Sequence, residues 1–154
     1  MKYNLTMLKN KILFLILLAG FLVGCSIHRI SPEEIQNTIN KVQKSKLIIL
    51  DVYSDSCPSC RRIKPVMKEL EINYEENPDI TFLKFDYSNP FTMYDSEKLA
   101  NKLGLENIFR SQRYVGVVHL VDVRTKKILD SLIGEYNFSR YTEIIEKRLT
   151  EHAT

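Results

Sequence analysis

The chain has 154 residues, which is enough for one domain plus a targeting segment. It carries 22 basic and 19 acidic residues, and three of the basic ones lie within the first 24 residues, where no acidic residue occurs. The rest of the chain therefore has 19 charges of each sign. Such a balance gives no electrostatic basis for binding nucleic acid or a strongly anionic partner.

The first 24 residues have the organisation of a signal peptide. An apolar run occupies residues 12–23, Gly24 follows it, and three lysines precede it (Lys2, Lys9 and Lys11). An uncleaved membrane helix is the alternative, but residues 12–25 provide only 14 apolar or small positions. A bilayer-spanning helix needs about 20. In both cases the lysines stay inside, so the rest of the chain lies outside.

The ending Leu-Val-Gly-Cys at residues 22–25 resembles the bacterial lipoprotein signal, in which the cysteine is acylated and becomes the mature N-terminus. We therefore predict a signal peptide over residues 1–24 and palmitate on Cys25. A lipidated tether would occupy residues 25–31, and one domain would occupy residues 32–154. The predicted location is the cell membrane or the outer membrane, facing the extracytoplasmic side.

The domain begins with a helix and a buried strand. Ser31 is typical of an N-cap, Pro32 of a first helical turn, and Glu34 completes a capping box. Residues 47–53 form an apolar run that only Asp51 interrupts, which predicts a buried strand.

Further helices and strands alternate along the chain. The patterns predict a helix over residues 59–76, a strand over 80–85, a helix over 96–103, an irregular segment over 107–113, a hairpin of strands 115–121 and 127–133, and a helix over 139–151. Strand–helix alternation predicts parallel pairing in the first half, and the hairpin predicts antiparallel pairing. The expected fold class is α/β, with a mixed sheet covered by helices on both faces.

The motif Cys57-Pro58-Ser59-Cys60 follows the first predicted strand and is typical of a redox-active disulfide. A zinc site needs about four ligands, and the three histidines are scattered, so we predict no metal site. Haem attachment would need His where Arg61 stands. A purely structural disulfide would close so short a loop that it would add little stability.

A cysteine at a helix N-terminus meets unpaired backbone N–H groups, which favour the thiolate. Cys57 is therefore the expected nucleophile, and Cys60, three residues later on the same helix face, is the expected resolving thiol. Asp51 lies on an apolar strand, so burial should raise the pKa of its carboxyl. It is the candidate acceptor for the Cys60 proton.

The order of elements around this motif resembles the thioredoxin family over residues 47–149. Six positions match features of that family. Asp51 takes the place of a buried acid six residues before the first cysteine, and Tyr53 that of an aromatic residue ending the strand. Pro65 matches a proline five residues after the second cysteine, Lys84 and Asp86 match a lysine and an acid in the next strand, and Gly134 matches a glycine after the last strand. The resemblance implies a three-layer α/β/α sandwich with a mixed central sheet.

Two positions depart from the family pattern. Ser56 replaces the tryptophan that usually precedes the first cysteine. The family's cis-proline would fall near Val115 or Gly116, where this chain has no proline. In the family that proline shapes the substrate groove opposite the dithiol.

The resemblance implies a thiol–disulfide oxidoreductase, here anchored to a membrane and exchanging disulfides with protein thiols or disulfides in the cell envelope. It implies no cofactor and no nucleic acid, and it leaves room for a membrane electron-transfer partner. The alternative is a non-catalytic thioredoxin-like lipoprotein that serves as a binding or metal-delivery module. The sequence leaves the direction of electron flow open.

Overall fold

The computed structural model of the protein describes residues 29–151. Within that range the chain forms, in order, α1 (Pro32–Lys44), β1 (Leu47–Tyr53), α2 (Pro58–Asn73), β2 (Ile80–Asp86), α3 (Pro90–Leu103), α4 (Glu106–Ser111), β3 (Val117–Asp122), β4 (Ile128–Ile133) and α5 (Phe138–Glu151). The predicted alternation is confirmed, with one helix added. The predicted signal peptide and Cys25 lie outside the described residues.

The predicted bounds of several elements shift by one to three residues, and two segments differ more from the prediction. α3 begins at Pro90 because Asn89 caps it, accepting hydrogen bonds from the Phe91 and Thr92 N–H groups, while the Thr92 hydroxyl accepts from the Asn89 N–H. The segment over residues 107–113, predicted as irregular, contains the short helix α4. No side-chain hydrogen bond caps α4, but it buries Ile108 and Phe109. Its helical form therefore depends on packing more than on local sequence.

The sheet has the strand order β2-β1-β3-β4. β1 pairs in parallel with β2 and antiparallel with β3, and β4 pairs antiparallel with β3. Each residue of β1 is buried, as expected for a strand with neighbours on both edges and helices on both faces. The prediction of a mixed sheet is confirmed.

The alternation of side chains along β1 divides the core into two layers. Ile48, Leu50 and Val52 pack with residues of α1, α3 and α4 on one face. Leu47 and Ile49 pack with residues of α2 and α5 on the other face. The three-layer α/β/α sandwich is therefore confirmed.

One end of the sheet gathers the loops that carry chemistry, and we call it the dithiol end. The Gly116 N–H donates to the Val52 carbonyl at 2.8 Å, and the Gly134 N–H donates to the Gly116 carbonyl at 3.0 Å. The Asp55 N–H donates to the Ser88 hydroxyl at 2.9 Å. These bonds join the loops that follow β1, β2 and β4 with the segment that precedes β3.

None of the helices between residues 29 and 151 combines the length and the apolar character needed to cross a membrane.

Candidate active site around Cys57 and Cys60

Cys57 lies where β1 has ended and α2 begins. It is the N-cap of α2, with Pro58 in the first turn, and its backbone is extended (φ −84°, ψ 118°). The Cys60 N–H donates to the Cys57 sulfur over an N···S distance of 3.2 Å. A sulfur that accepts a backbone N–H at a helix N-terminus is placed to hold negative charge. The predicted position at the helix start is confirmed.

Cys60 lies one turn further along α2 and is fully buried, whereas Cys57 is half-buried. The Cys60 thiol points toward the Val52 carbonyl at an S···O distance of 3.9 Å. Burial, followed by the hydrogen bond with Cys57, raises the pKa of the Cys60 thiol to about 12. The two sulfurs therefore differ in access, and burial opposes ionisation of the Cys60 thiol.

Asp51 lies on the central strand and is only 8% exposed. Among the described residues its Oδ1 atom has no hydrogen-bond partner. Burial raises the pKa of the Asp51 carboxyl from 3.8 to about 6, which confirms the predicted effect of desolvation. The charge of Asp51 also contributes to the raised pKa of the Cys60 thiol.

The charges around Asp51 partly cancel. Lys84 stands opposite it in the β1–β2 register and lowers its pKa, while Glu71 and Asp86 raise it. The Lys84 ammonium lies 3.6 Å from the Asp86 carboxylate and 5.1 Å from the centroid of the Tyr53 ring. Burial therefore remains the largest influence on the carboxyl.

Gly116 faces the two thiols and takes a backbone conformation that favours glycine, with φ of +79°. A Cβ atom added there would lie 3.0 Å from Ser59 Cβ, 3.2 Å from Cys57 Sγ and 3.6 Å from Cys60 Sγ. The peptide bonds of the described residues are all trans. The sequence indicates Gly116 only as the neighbourhood of the missing proline, and its contact with the sulfurs comes from the tertiary structure.

Tyr136 forms part of the rim of the site, which the motif does not indicate. Its hydroxyl lies 3.4 Å from the Ser59 hydroxyl, and the Arg62 guanidinium lies 5.7 Å from the centroid of its ring. The side chain is 41% exposed. Its position two residues after Gly134 is the sequence signal that could have identified it.

Over residues 29–151, no three side chains of the His, Cys, Asp and Glu types gather closely enough to hold a metal ion. His119, for example, is buried between the Ser131 hydroxyl at 2.7 Å and the Gln112 side-chain oxygen at 3.1 Å.

The raised pKa of Asp51 makes the stability of the protein depend on pH. The folded protein binds this proton more tightly than the unfolded chain does, so the contribution of Asp51 to stability is fully present below pH 3.8 and is lost as the pH rises to about 6. The expected loss is roughly 3 kcal/mol. Asp51→Asn removes this pH-dependent loss of stability. The variant should therefore be more stable than wild type at pH 7, and the two stabilities should differ less at pH 4. Urea unfolding of both proteins at the two pH values measures this difference, and an equal difference at both values would contradict the raised pKa.

Gly116→Ala should destabilise the protein by about 1–3 kcal/mol, because an L-residue is strained at positive φ and the new methyl group would crowd the dithiol. Gly104→Ala is the matched control, since φ there is +69° but a Cβ would meet only the Lys126 Cε, at 3.9 Å. Both variants should lose stability in urea unfolding. Only Gly116→Ala should slow iodoacetamide modification of Cys57 several-fold, and equal rates in the two variants would show that Gly116 does not control access to the sulfur.

Comparison with known proteins agrees with this geometry. Residues 26–105 match the family model described as Thioredoxin. Thioredoxin F2 from Arabidopsis thaliana chloroplasts is 29% identical over 101 residues, covering 56% of this chain and 50% of that protein. Thioredoxin F1 from the same organism is 39% identical over 67 residues, covering 44% of this chain and 33% of that protein. The chain spans half or less of the length of these curated relatives.

A solved structure supports the fold. The germline-specific thioredoxin protein Deadhead from Drosophila melanogaster superposes with a TM-score of 0.50 at 18% identity, covering 77% of this chain and 95% of that chain. At this identity the likeness concerns the fold alone. The family model, in contrast, matches more than half of the chain and includes both cysteines. The protein therefore belongs to the thioredoxin family.

Proposed function

We propose that the protein is a membrane-tethered thiol–disulfide oxidoreductase that exchanges disulfides with protein substrates outside the cytoplasm. The observation that carries the proposal is the pairing of two unlike thiols. The Cys57 sulfur is half-buried and accepts the Cys60 N–H, while the Cys60 sulfur is buried behind it. One thiol is placed to attack a partner and the other to complete the exchange.

In the reducing direction, the Cys57 thiolate attacks one sulfur of a substrate disulfide and forms a mixed disulfide, and the other substrate sulfur leaves as a thiolate. The Cys60 thiolate then attacks the Cys57 sulfur. The Cys57–Cys60 bond forms, the mixed disulfide breaks, and the second substrate thiolate leaves. Two electrons pass from the protein to the substrate, and the reverse sequence oxidises a substrate dithiol.

The second step needs the Cys60 proton to leave, which its pKa of about 12 opposes. Part of that pKa comes from the hydrogen bond and charge of Cys57. Once Cys57 is bound in a mixed disulfide, its negative charge is gone and this contribution disappears. Asp51, with a pKa of about 6, is ionised at neutral pH and is the nearby base that we assign to accept the proton.

The membrane tether is supported by the sequence upstream of the described residues. The apolar run over residues 12–23 and the Cys25 that follows it have the order of a lipoprotein signal. Acylation of Cys25 would hold the domain on the extracytoplasmic side. The protein thiols and disulfides of the cell envelope are then the substrates within reach, and an electron-transfer partner in the membrane would renew the dithiol.

Cys60→Ser should accumulate a mixed disulfide between Cys57 and substrate, because the resolving thiol is absent. Both Cys60→Ser and the control Cys57→Ser should reduce insulin at least about 100-fold more slowly than wild type. Non-reducing electrophoresis and mass spectrometry identify the trapped species. A wild-type protein that leaves insulin oxidised and forms no Cys57–Cys60 disulfide would instead favour the binding or metal-delivery module.

Cys25→Ser should abolish incorporation of labelled palmitate and leave residues 1–24 attached, because the cysteine that is acylated and marks the cleavage site is lost. Cys57→Ser is the matched control and should keep both the label and the cleaved N-terminus. Labelling that persists in Cys25→Ser, or a wild-type protein found entirely in the soluble fraction, would contradict the anchor. Neither result would affect the chemistry of the dithiol.

A further inference from the structure

Three large apolar side chains are exposed within the first turns of α3. Phe91 is 51% exposed, Met93 44% and Tyr94 57%. Single exposed apolar residues are ordinary, but a contiguous group often marks an interaction surface. We call these three residues, together with Arg29, the aromatic patch.

Arg29 joins the patch to the N-terminal part of the chain. Its guanidinium lies 5.8 Å from the centroid of the Phe91 ring and 5.3 Å from that of the Tyr94 ring. It also forms an ion pair with Asp95 at 3.1 Å, and the Ile30 N–H donates to the same carboxylate at 3.3 Å. The N-terminal end of the described residues therefore lies at the aromatic patch.

Covalent geometry limits how far the patch can lie from the proposed anchor. Cys25 precedes Arg29 by four residues. With 3.8 Å between consecutive Cα atoms, that segment spans at most about 15 Å. The headgroup layer of one leaflet is itself about 5–7 Å thick. A domain held at Cys25 must therefore keep the aromatic patch next to the bilayer.

We propose that the aromatic patch rests on the lipid bilayer and orients the domain there, an inference that rests on the proposed anchor at Cys25. Tyrosine and other aromatic side chains partition favourably into the interfacial layer, with apolar atoms toward the lipid tails and polar atoms toward water. The Arg29 guanidinium lies beside these rings, where it can meet lipid phosphates. Its charge is balanced by Asp95, so attachment depends mainly on the apolar side chains.

This orientation defines the class of substrate. The Asp55 N–H donates to the Ser88 hydroxyl at 2.9 Å, which joins the loop before Cys57 to the loop before α3. The patch and the dithiol therefore share one end of the sheet. The preferred substrates are protein disulfides that lie close to the bilayer surface.

The chain contains no tryptophan, so a single introduced tryptophan reports on one site. Phe91→Trp would be placed in the lipidated protein, produced from the full chain and reconstituted into phosphatidylethanolamine–phosphatidylglycerol vesicles with part of the lipid brominated on its acyl chains. Ile72→Trp is the matched control, because Ile72 is 66% exposed in the last turn of α2, away from the dithiol end. Bromine should quench the tryptophan at position 91 at least about twofold more than that at position 72.

The outcomes separate the two proposals. Equal quenching at both sites in protein that floats with the vesicles would overturn the bilayer contact while the anchor stands. Protein that does not float would overturn the anchor and, with it, this inference. A tryptophan at position 91 that is shielded in native membranes but unquenched in pure lipid vesicles would assign the patch to a protein partner and overturn the lipid assignment. Tyr94→Trp repeats the measurement should Phe91→Trp fold poorly.

A second measurement tests the substrate class. The double variant Phe91→Ser, Tyr94→Ser should reduce soluble insulin at the wild-type rate, because neither residue belongs to the dithiol machinery. It should reduce a disulfide placed beside the interfacial end of a membrane-spanning peptide several-fold more slowly than wild type, in the same vesicles. Equal rates on the peptide would overturn the inference, and circular dichroism shows whether the double variant has folded.

Discussion

The hydrogen bond from the Cys60 N–H to the Cys57 sulfur is the contact on which the rest of the site depends. β1 ends at Tyr53 and α2 begins at Pro58, so the chain changes from strand to helix within four residues. Such a helix start leaves backbone N–H groups without carbonyl partners, and the Cys57 sulfur accepts one of them. The next turn of the same helix carries Cys60 into the core. The exposure of one thiol and the burial of the other therefore follow from a single helix boundary.

The buried carboxyl of Asp51 shows that the central strand gives up some stability. A carboxylate buried without full hydrogen bonding is unfavourable, and its Oδ1 has no partner among the described residues. The same apolar surroundings raise the pKa of Asp51 and of Cys60, because each loses the water that would stabilise its charged form. Asp51 and Cys60 therefore both favour their protonated forms within one small buried region. A neutral side chain at position 51 would make the protein more stable, but the protein would then lose the base.

The arrangement of the sheet brings the start of α1 and the reactive thiols to the same end of the molecule. β1 leads toward the dithiol, and α1 runs back along the sheet before β1 begins. The start of α1, and Arg29 just before it, consequently lie at the dithiol end, where Arg29 contacts the first turns of α3. A short tether on this side would constrain which substrates the dithiol meets, independently of the chemistry of the sulfurs.

Patterns that are local in sequence predicted much of this protein. The seven buried residues of β1 form one apolar run with its predicted bounds, and the Cys-x-x-Cys spacing placed Cys57 at a helix start with a buried acid behind it. The sequence patterns did not predict α4, because this helix is stabilised by packing. The centroid of the Phe109 ring lies 5.4 Å from that of Phe85 and 5.1 Å from that of Tyr87. The sequence by itself determined the order of strand, dithiol and helix, since each depends on neighbouring residues. The tertiary structure alone decided that Gly116 faces the sulfurs and that Arg29 lies beside the Phe91 and Tyr94 rings, because those contacts join residues far apart along the chain.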